Sequence, residues 1–396
     1  MSVRKKVNLL EYFANSINCF MRGGTLAPEY QLKNMNGTYP DKIIFAKYSK
    51  AADTCFFYYD KKIGVSPDGI TPVFYGGYAY PHPFLIEDYV DGEMKAIVIA
   101  GGLAAVYNGD GFDDIDIPVT LDCGLMHRGR LIGARGRVVE WSGPEGFMDW
   151  EEGICGCGKL KLDPAHGDVL NILEYDGKVI AVREYGLTVL SMEGSPEGFN
   201  VKPLDTDCDR IYQNTVQVVG GKLYFFTLTG LKCFDGLKIS PLKTRHAVSE
   251  PWNSAEFGGR YFLACKSDYL KRDAILCVDS SDGESCLLDS RADVFLVKDS
   301  VSFYLPNKMR RLVKGGFFVF ETLPVSFGSS RLKTLSKIEF DDLLPVYVNN
   351  GRYTRYLEDR HYAYRPRMRG FTFTFRLEWV GPIRWATATA EVCDDI

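Results

Sequence analysis

The chain has 396 residues, 46% of them hydrophobic and 13% aromatic, with a net charge of −4. That length holds two or three ordinary domains, or one large repeat domain with a companion. The slight acidity excludes a molecule-wide attraction to nucleic acid or anionic membrane, and no run of about 20 apolar residues is present to cross a membrane as a helix.

The first residues, Met1-Ser2-Val3-Arg4-Lys5-Lys6, lead into an apolar run too short for a secretion signal. Residues 6–20 are the best helical candidate, weakened by Asn15 and Asn18. A stretch rich in Gly, Pro and Asn follows and ends at Asn34-Met35-Asn36-Gly37-Thr38-Tyr39-Pro40. Residues 1–41 therefore read as an extended N-terminal arm lying on the rest of the protein or on a neighbour.

From residue 42 to 315, short β runs alternate with turn signals at the close spacing of an all-β repeat. Residues 42–49 and 54–60 pair as a first unit, ending near 72–77. Residues 95–100 and 103–108 form a second, joined at Gly101 and Gly102, and residues 129–134 and 137–142 a third. The next two units, 168–201 and 216–239, repeat a phrase. Gly177-Lys178 is followed nine residues later by Gly186-Leu187, and Gly221-Lys222 likewise by Gly230-Leu231. Pro144-Glu145-Gly146-Phe147 is echoed by Pro196-Glu197-Gly198-Phe199. Units at 257–289 and 295–313 complete the series. Repetition at roughly 40–50 residues in a Gly-punctuated β sequence marks a propeller. No helix-period segment of ordinary length lies between the strands, which argues against an α/β fold. The expectation is an all-β protein: a β-propeller over 42–315 of about seven blades, with six or eight compatible with the same spacing.

Residues 316–396 alternate more cleanly. Strands are expected at 317–322, 335–340, 344–348, 371–377 and 385–392. Phe371-Thr372-Phe373-Thr374-Phe375 places three aromatics on one face, as in an antiparallel sheet with one wet side. This region reads as a separate C-terminal β-sandwich.

No motif carries chemistry. The Gly-Gly pairs lack both GxGxxG spacing and a following helix, so they are turns rather than phosphate loops. The loop with Asp110, Asp113, Asp114 and Asp116 lacks the EF-hand Gly and Glu, and Asp279-Ser280-Ser281-Asp282-Gly283-Glu284 reads as a turn. Cys155-Gly156-Cys157 is too closely spaced for a zinc pair. Eleven scattered cysteines, several within apolar strands, read as buried hydrophobes of a reducing compartment. None of His82, His127, His166, His246 and His361 sits in a triad or metal pattern, and no nucleophile–base pair stands out. The expectation is a protein that is not an enzyme, with no catalytic, cofactor or metal residues and no cofactor.

One region is locally basic. Arg352, Arg355, Arg360, Arg365, Arg367, Arg369 and Arg376 are interleaved with Tyr353, Tyr356, Tyr362 and Tyr364. Arginine with tyrosine serves nucleic-acid surfaces and also protein interfaces, where both are favoured hot spots. Overall acidity favours the second. Arg352, Tyr353, Arg355, Tyr356, Tyr362, Tyr364, Arg365, Arg367 and Arg369 are the candidate subunit interface. A rival reading is a carbohydrate-binding or glycan-cleaving propeller for host-surface recognition, motivated by the sugar-stacking faces of Trp141, Trp150 and Trp252.

The run Trp141-Ser142-Gly143-Pro144-Glu145-Gly146-Phe147, then Asp176-Gly177-Lys178-Val179-Ile180-Ala181-Val182 and Gly186-Leu187-Thr188-Val189-Leu190, resembles the β-propeller structural proteins of tailed bacteriophages and prophages. The run from Val218 to Phe225, with Gly230-Leu231 and Phe234-Asp235-Gly236, is similar to their next blade. Asn34-Met35-Asn36 looks like their arm, and Arg367-Met368-Arg369-Gly370-Phe371 like a strand of their sandwich. The resemblance implies a virion part of the neck or tail, of the nozzle, head-completion or packaged-DNA stabilisation type, assembled in the bacterial host cytoplasm. It implies a homo-oligomeric ring, contact with other tail, neck or portal proteins, passing contact with packaged DNA, and no membrane. It transfers no catalytic residue.

Overall fold

The computed structural model describes residues 3–37, 39–40, 42–153, 156–191, 199–204, 209–358 and 362–392, and in it the repeated phrase is a hairpin. Asp176 and Gly177 have φ of 50° and 69°, and Gly220 and Gly221 have 55° and 75°. Two successive positive φ values make the tight turn whose twist matches antiparallel strands. The turns join Tyr175 to Lys178 and Val219 to Lys222. Both lysines are exposed, and the strands they open are otherwise buried. A second turn then brings in the third strand at Gly186 or Gly230.

Seven such antiparallel meanders follow one another, so the blades number seven. They span residues 45–76, 84–121, 123–161, 169–204, 217–241, 248–288 and 294–314. The second blade is built differently from the expectation. Gly101 and Gly102 form no hairpin turn; they sit in one continuous strand, Glu93–Tyr107, where the register shifts between Gly101 and Leu103. Gly101 takes φ 71°, and a bulge rather than a reversal absorbs it.

A single blade leaves both sheet faces bare, and the neighbours cover them. The buried apolar residues accordingly fall into seven clusters, each shared by two adjacent blades, with an eighth inside the sandwich. The Pro-Glu-Gly-Phe phrase serves these interfaces. Phe147, from the third blade, packs fully buried against Ile86 and Ile97 of the second. Phe199, from the fourth, meets the ring of Trp141 in the third at 5.2 Å. The rest of the second copy, residues 196–198, lies outside the described residues.

The N-terminal segment lies on the rest of the protein as paired strands and contains no α-helix among its described residues. Val3–Asn8 pairs with Ala386–Val392, and Phe13–Ile17 pairs with Phe318–Thr322. Between them, the helical pattern expected over 6–20 shrinks to one 3-10 turn, Leu9–Tyr12, where the Asn8 carboxamide accepts the Leu10 N–H. Asn18 then takes φ 61°, which no helix interior tolerates. Tyr30–Met35 pairs antiparallel with Lys308–Lys314 as the outer strand of the seventh blade. Residues 30–35 and 294–314 thus share one sheet and close the ring.

The sandwich combines these N-terminal strands with residues 318–392. One sheet holds Val3–Asn8, Ala386–Val392, Lys333–Phe340 and the short Ala363–Tyr364 and Met368–Gly370. The other holds Phe13–Ile17, Phe318–Thr322, Thr374–Trp379, Val346–Asn349 and Thr354–Leu357. It continues into the sixth blade through one parallel bridge, Ile17 to Leu287, giving a nine-stranded sheet. Of the three aromatics expected on one face, Phe373 and Phe375 are buried but Phe371 is 58% exposed. The strand begins only at Thr374, so Phe371 lies before the regular alternation.

An ion cluster fixes the N-terminal hairpin to the sixth blade. Arg260 reaches Glu29 at 2.5 Å and Asp279 at 3.2 Å, while Arg22 also binds Asp279. The Arg260 guanidinium lies 4.9 Å from the Tyr30 ring centre. Arg260→Ala would leave largely buried carboxylates short of a partner, and a loss of about 3 kcal/mol is expected. Urea unfolding checks this; a variant as stable as the parent would show that the cluster does not fasten the segment.

Candidate functional site

The arginine-tyrosine residues gather at one free side of the sandwich. Val346–Asn349 turns into Thr354–Leu357, and the Asn350 side-chain oxygen accepts the Arg352 and Tyr353 N–H groups at 3.0 Å. This cap holds Arg352 and Tyr353 outward at the hairpin tip, Tyr353 being 53% exposed. Arg355 and Tyr356 follow on the strand, which is the last of its sheet. The Tyr356 ring lies 4.8 Å from that of Tyr347.

The chain then crosses to the edge of the opposite sheet. Arg365, Arg367 and Arg369 are exposed there, alternating with buried Pro366, Met368 and Gly370. Two hydrogen bonds tie the sheet edges together: Arg355 to the Pro366 carbonyl at 2.7 Å, and the Asn350 amide to the Arg369 carbonyl at 2.8 Å. Tyr362 is exposed. Tyr364 is a correction: it is buried, its hydroxyl donates to the Leu344 carbonyl at 2.9 Å, and it belongs to the sandwich core. Arg376 also stands apart, paired with Glu378 at 2.8 Å, and Arg360 lies outside the described residues.

A second feature was not legible in advance. The innermost strands surround an axial cavity of about 420 Å³, to which all seven blades contribute. Lys47, His82, Asp122, Asn171, Gln217, Asn253 and Phe295 line it, one from each. Lys47 is open to the cavity yet ringed by protein, and that desolvation lowers its ammonium below the usual lysine range. The cavity is large enough for several waters. It suits solvent or a small polar molecule, not a polymer.

Other conspicuous groups hold the fold. Trp150 donates its indole N–H to the Phe147 carbonyl at 2.7 Å, Trp252 to that of Ala292 at 2.6 Å, and Trp141 is buried. Burial raises the Cys123 thiol to about 12 and the Cys55 thiol to about 11, away from nucleophilic character. The Asp110 loop is organised by Asn108, whose side-chain oxygen accepts the N–H groups of Asp110 and Gly111. Among the described residues, no three His, Cys, Asp or Glu side chains come together to hold a metal. Cys155 and His361 lie outside those residues.

Neither a protein-family model nor a curated protein matches the chain. Among solved structures, it is similar to the extracellular domain assigned to a hybrid two component system of B. thetaiotaomicron. That match has a TM-score of 0.51 at 9% identity and covers 88% of this chain and 58% of that one. PorZ, a surface component of the type-IX secretion system of Porphyromonas gingivalis, matches at 0.48 and 8% identity, over 85% of this chain and 57% of that one. The WD40 domain of Neurospora crassa Pan2 matches at 0.46 and 10% identity, covering 69% and 89%. The chain spans 57–58% of the length of the first two. The fold is an all-β propeller. At such identities the likeness extends to fold alone.

His246 gives the core a pH dependence. It is buried where the sixth blade meets the N-terminal strands, with Nε2 at 3.2 Å from the Ser285 carbonyl and its ring 6.3 Å from that of Phe13. Burial, aided by the Arg245 charge, pushes its pKa down to about 4. The unfolded imidazole titrates near 6.5, so below that pH only the unfolded chain takes up the proton. Stability should be full above about pH 6.5 and fall by about 3 kcal/mol toward pH 4. His246→Gln should flatten that part of the profile in urea unfolding; an unchanged slope would assign the pH dependence elsewhere.

Proposed function

We propose that this protein is a non-enzymatic structural component of a tailed-phage or prophage virion, assembling as a ring in the neck or tail. The observation that carries the reading is the exposed Arg352-Tyr353-Arg355-Tyr356 strand at the outer end of a rigid nine-stranded sheet. Arginine and tyrosine are the residues that supply interface binding energy. Here they ride on a sandwich fixed to a closed disc, so a neighbour would meet a preorganised surface and little order would be lost on binding. The resemblance of the blade phrases to phage propeller proteins gives the assembly its setting.

The axial cavity refines the role. Its volume is far too small for a duplex, so any DNA channel would run between copies around the ring, with each propeller a spacer in the wall. The net negative charge suits passage, because few phosphates would be neutralised and the DNA would not be held. Of the tryptophans that motivate a glycan-binding reading, Trp141 is buried, while Trp150 and Trp252 are half-buried with their indole N–H groups bonded to backbone carbonyls.

Particles made without the protein test the proposal. Defective necks or tails and loss of packaged DNA are expected under electron microscopy. Intact, infectious, DNA-filled particles lacking it would overturn the reading.

A further inference from the structure

Among the described residues, blade 2 is the only blade with three strands rather than four. Its outermost strand, Phe112–Leu121, is therefore a free edge ten residues long. From Phe112 to Ile117 that edge has no strand beside it among the described residues and is a template for another strand, which Pro118, lacking an N–H, ends. It is also acidic. Asp113, Asp114 and Asp116 are exposed on it, with Asp110 in the turn before. Asp113 accepts only the Asn108 amide and Asp114 the Tyr78 hydroxyl, both neutral donors.

The opposite kind of edge ends the nine-stranded sheet. Among the described residues the strand paired with Thr354–Leu357 is Val346–Asn349, and the residues of Thr354–Leu357 are mostly exposed. Arg352 and Arg355 flank and occupy it, with Arg367 and Arg369 on the adjacent sheet edge. A lone acidic edge would be explained as a guard against aggregation. A basic edge on the same molecule changes that reading, because each then repels its own kind and attracts the other.

The two edges cannot meet within one chain. The nine-stranded sheet runs outward from blade 6, and eight interstrand steps of about 4.8 Å place its last strand roughly 40 Å from the axis. Blade 2 stands three positions from blade 6 one way around the ring and four the other, on the far side of the disc. A contact between unlike patches on opposite sides is heterologous, and repeated from copy to copy it closes into a ring or grows as a filament.

We propose that Thr354–Leu357 of one copy adds to the 112–117 part of blade 2's outer strand in the next, as its missing fourth strand, with Arg352 and Arg355 against Asp113, Asp114 and Asp116. The main-chain ladder supplies affinity and the charges set register and partner. This inference rests on the ring reading above and names its interface. The charges are exposed, so association weakens as salt shortens the Debye length.

Two charge-reversed proteins test it by analytical ultracentrifugation at low and high salt, with circular dichroism to check folding. Asp113→Arg with Asp116→Arg makes both edges basic; Arg352→Glu with Arg355→Glu makes both acidic. Each alone should self-associate at least tenfold more weakly than the parent. An equimolar mixture should regain association, because each basic edge then finds an acidic one. Reversed proteins that associate as the parent does would overturn this interface and leave the ring reading to another surface. A parent that stays monomeric at all concentrations would overturn both.

Discussion

The structure depends on closing a ring between two segments far apart in the sequence. The seventh blade takes three strands from residues 294–314 and its fourth from Tyr30–Met35, more than 250 residues earlier in the sequence. Until that strand docks, the cluster between blades 7 and 1 is incomplete, since Met35 and Tyr39 belong to it. Every other blade-to-blade core depends on the ring staying shut. The same N-terminal stretch first threads both sheets of the sandwich, so one segment closes the disc and fastens the appendage. This is why Arg260, holding Glu29 and Asp279 beside Tyr30, matters more than an ordinary surface ion pair.

Closure has a functional corollary. A disc with seven interlocked cores offers little internal motion, and the sheet of blade 6 reaches the sandwich through the Ile17–Leu287 bridge. Assembly gains from rigidity, because interfaces held in place lose less entropy on binding. The arginine-rich sandwich edge and the acidic blade edge are both placed at the perimeter, where neighbours would be met.

Much of this was legible in the sequence, for identifiable reasons. Gly177 and Gly221 betray their hairpins because two successive positive φ values restrict the residue choice. Blade number follows from counting such units. The N-terminal strands were hidden because their pairing partners, Ala386–Val392 and Phe318–Thr322, lie over 300 residues away. Local pattern over 6–20 favours a helix, and long-range pairing overrides it. Gly101 and Gly102 mislead because a bulge and a turn use the same residue type. The arginines of the candidate interface were visible as a composition bias, whereas Tyr364 was not separable from its exposed neighbours without knowing which way its strand faces. The axial cavity draws residues from every blade, and only the fold brings them together.

We propose that this disc and its appendage are joined into a ring, and cryo-electron microscopy of the purified protein at low ionic strength is the direct test. Closed rings are expected, in which the sandwich of each copy touches the propeller of the next. Particles that remain single propellers at every concentration would show that the protein does not assemble in this way.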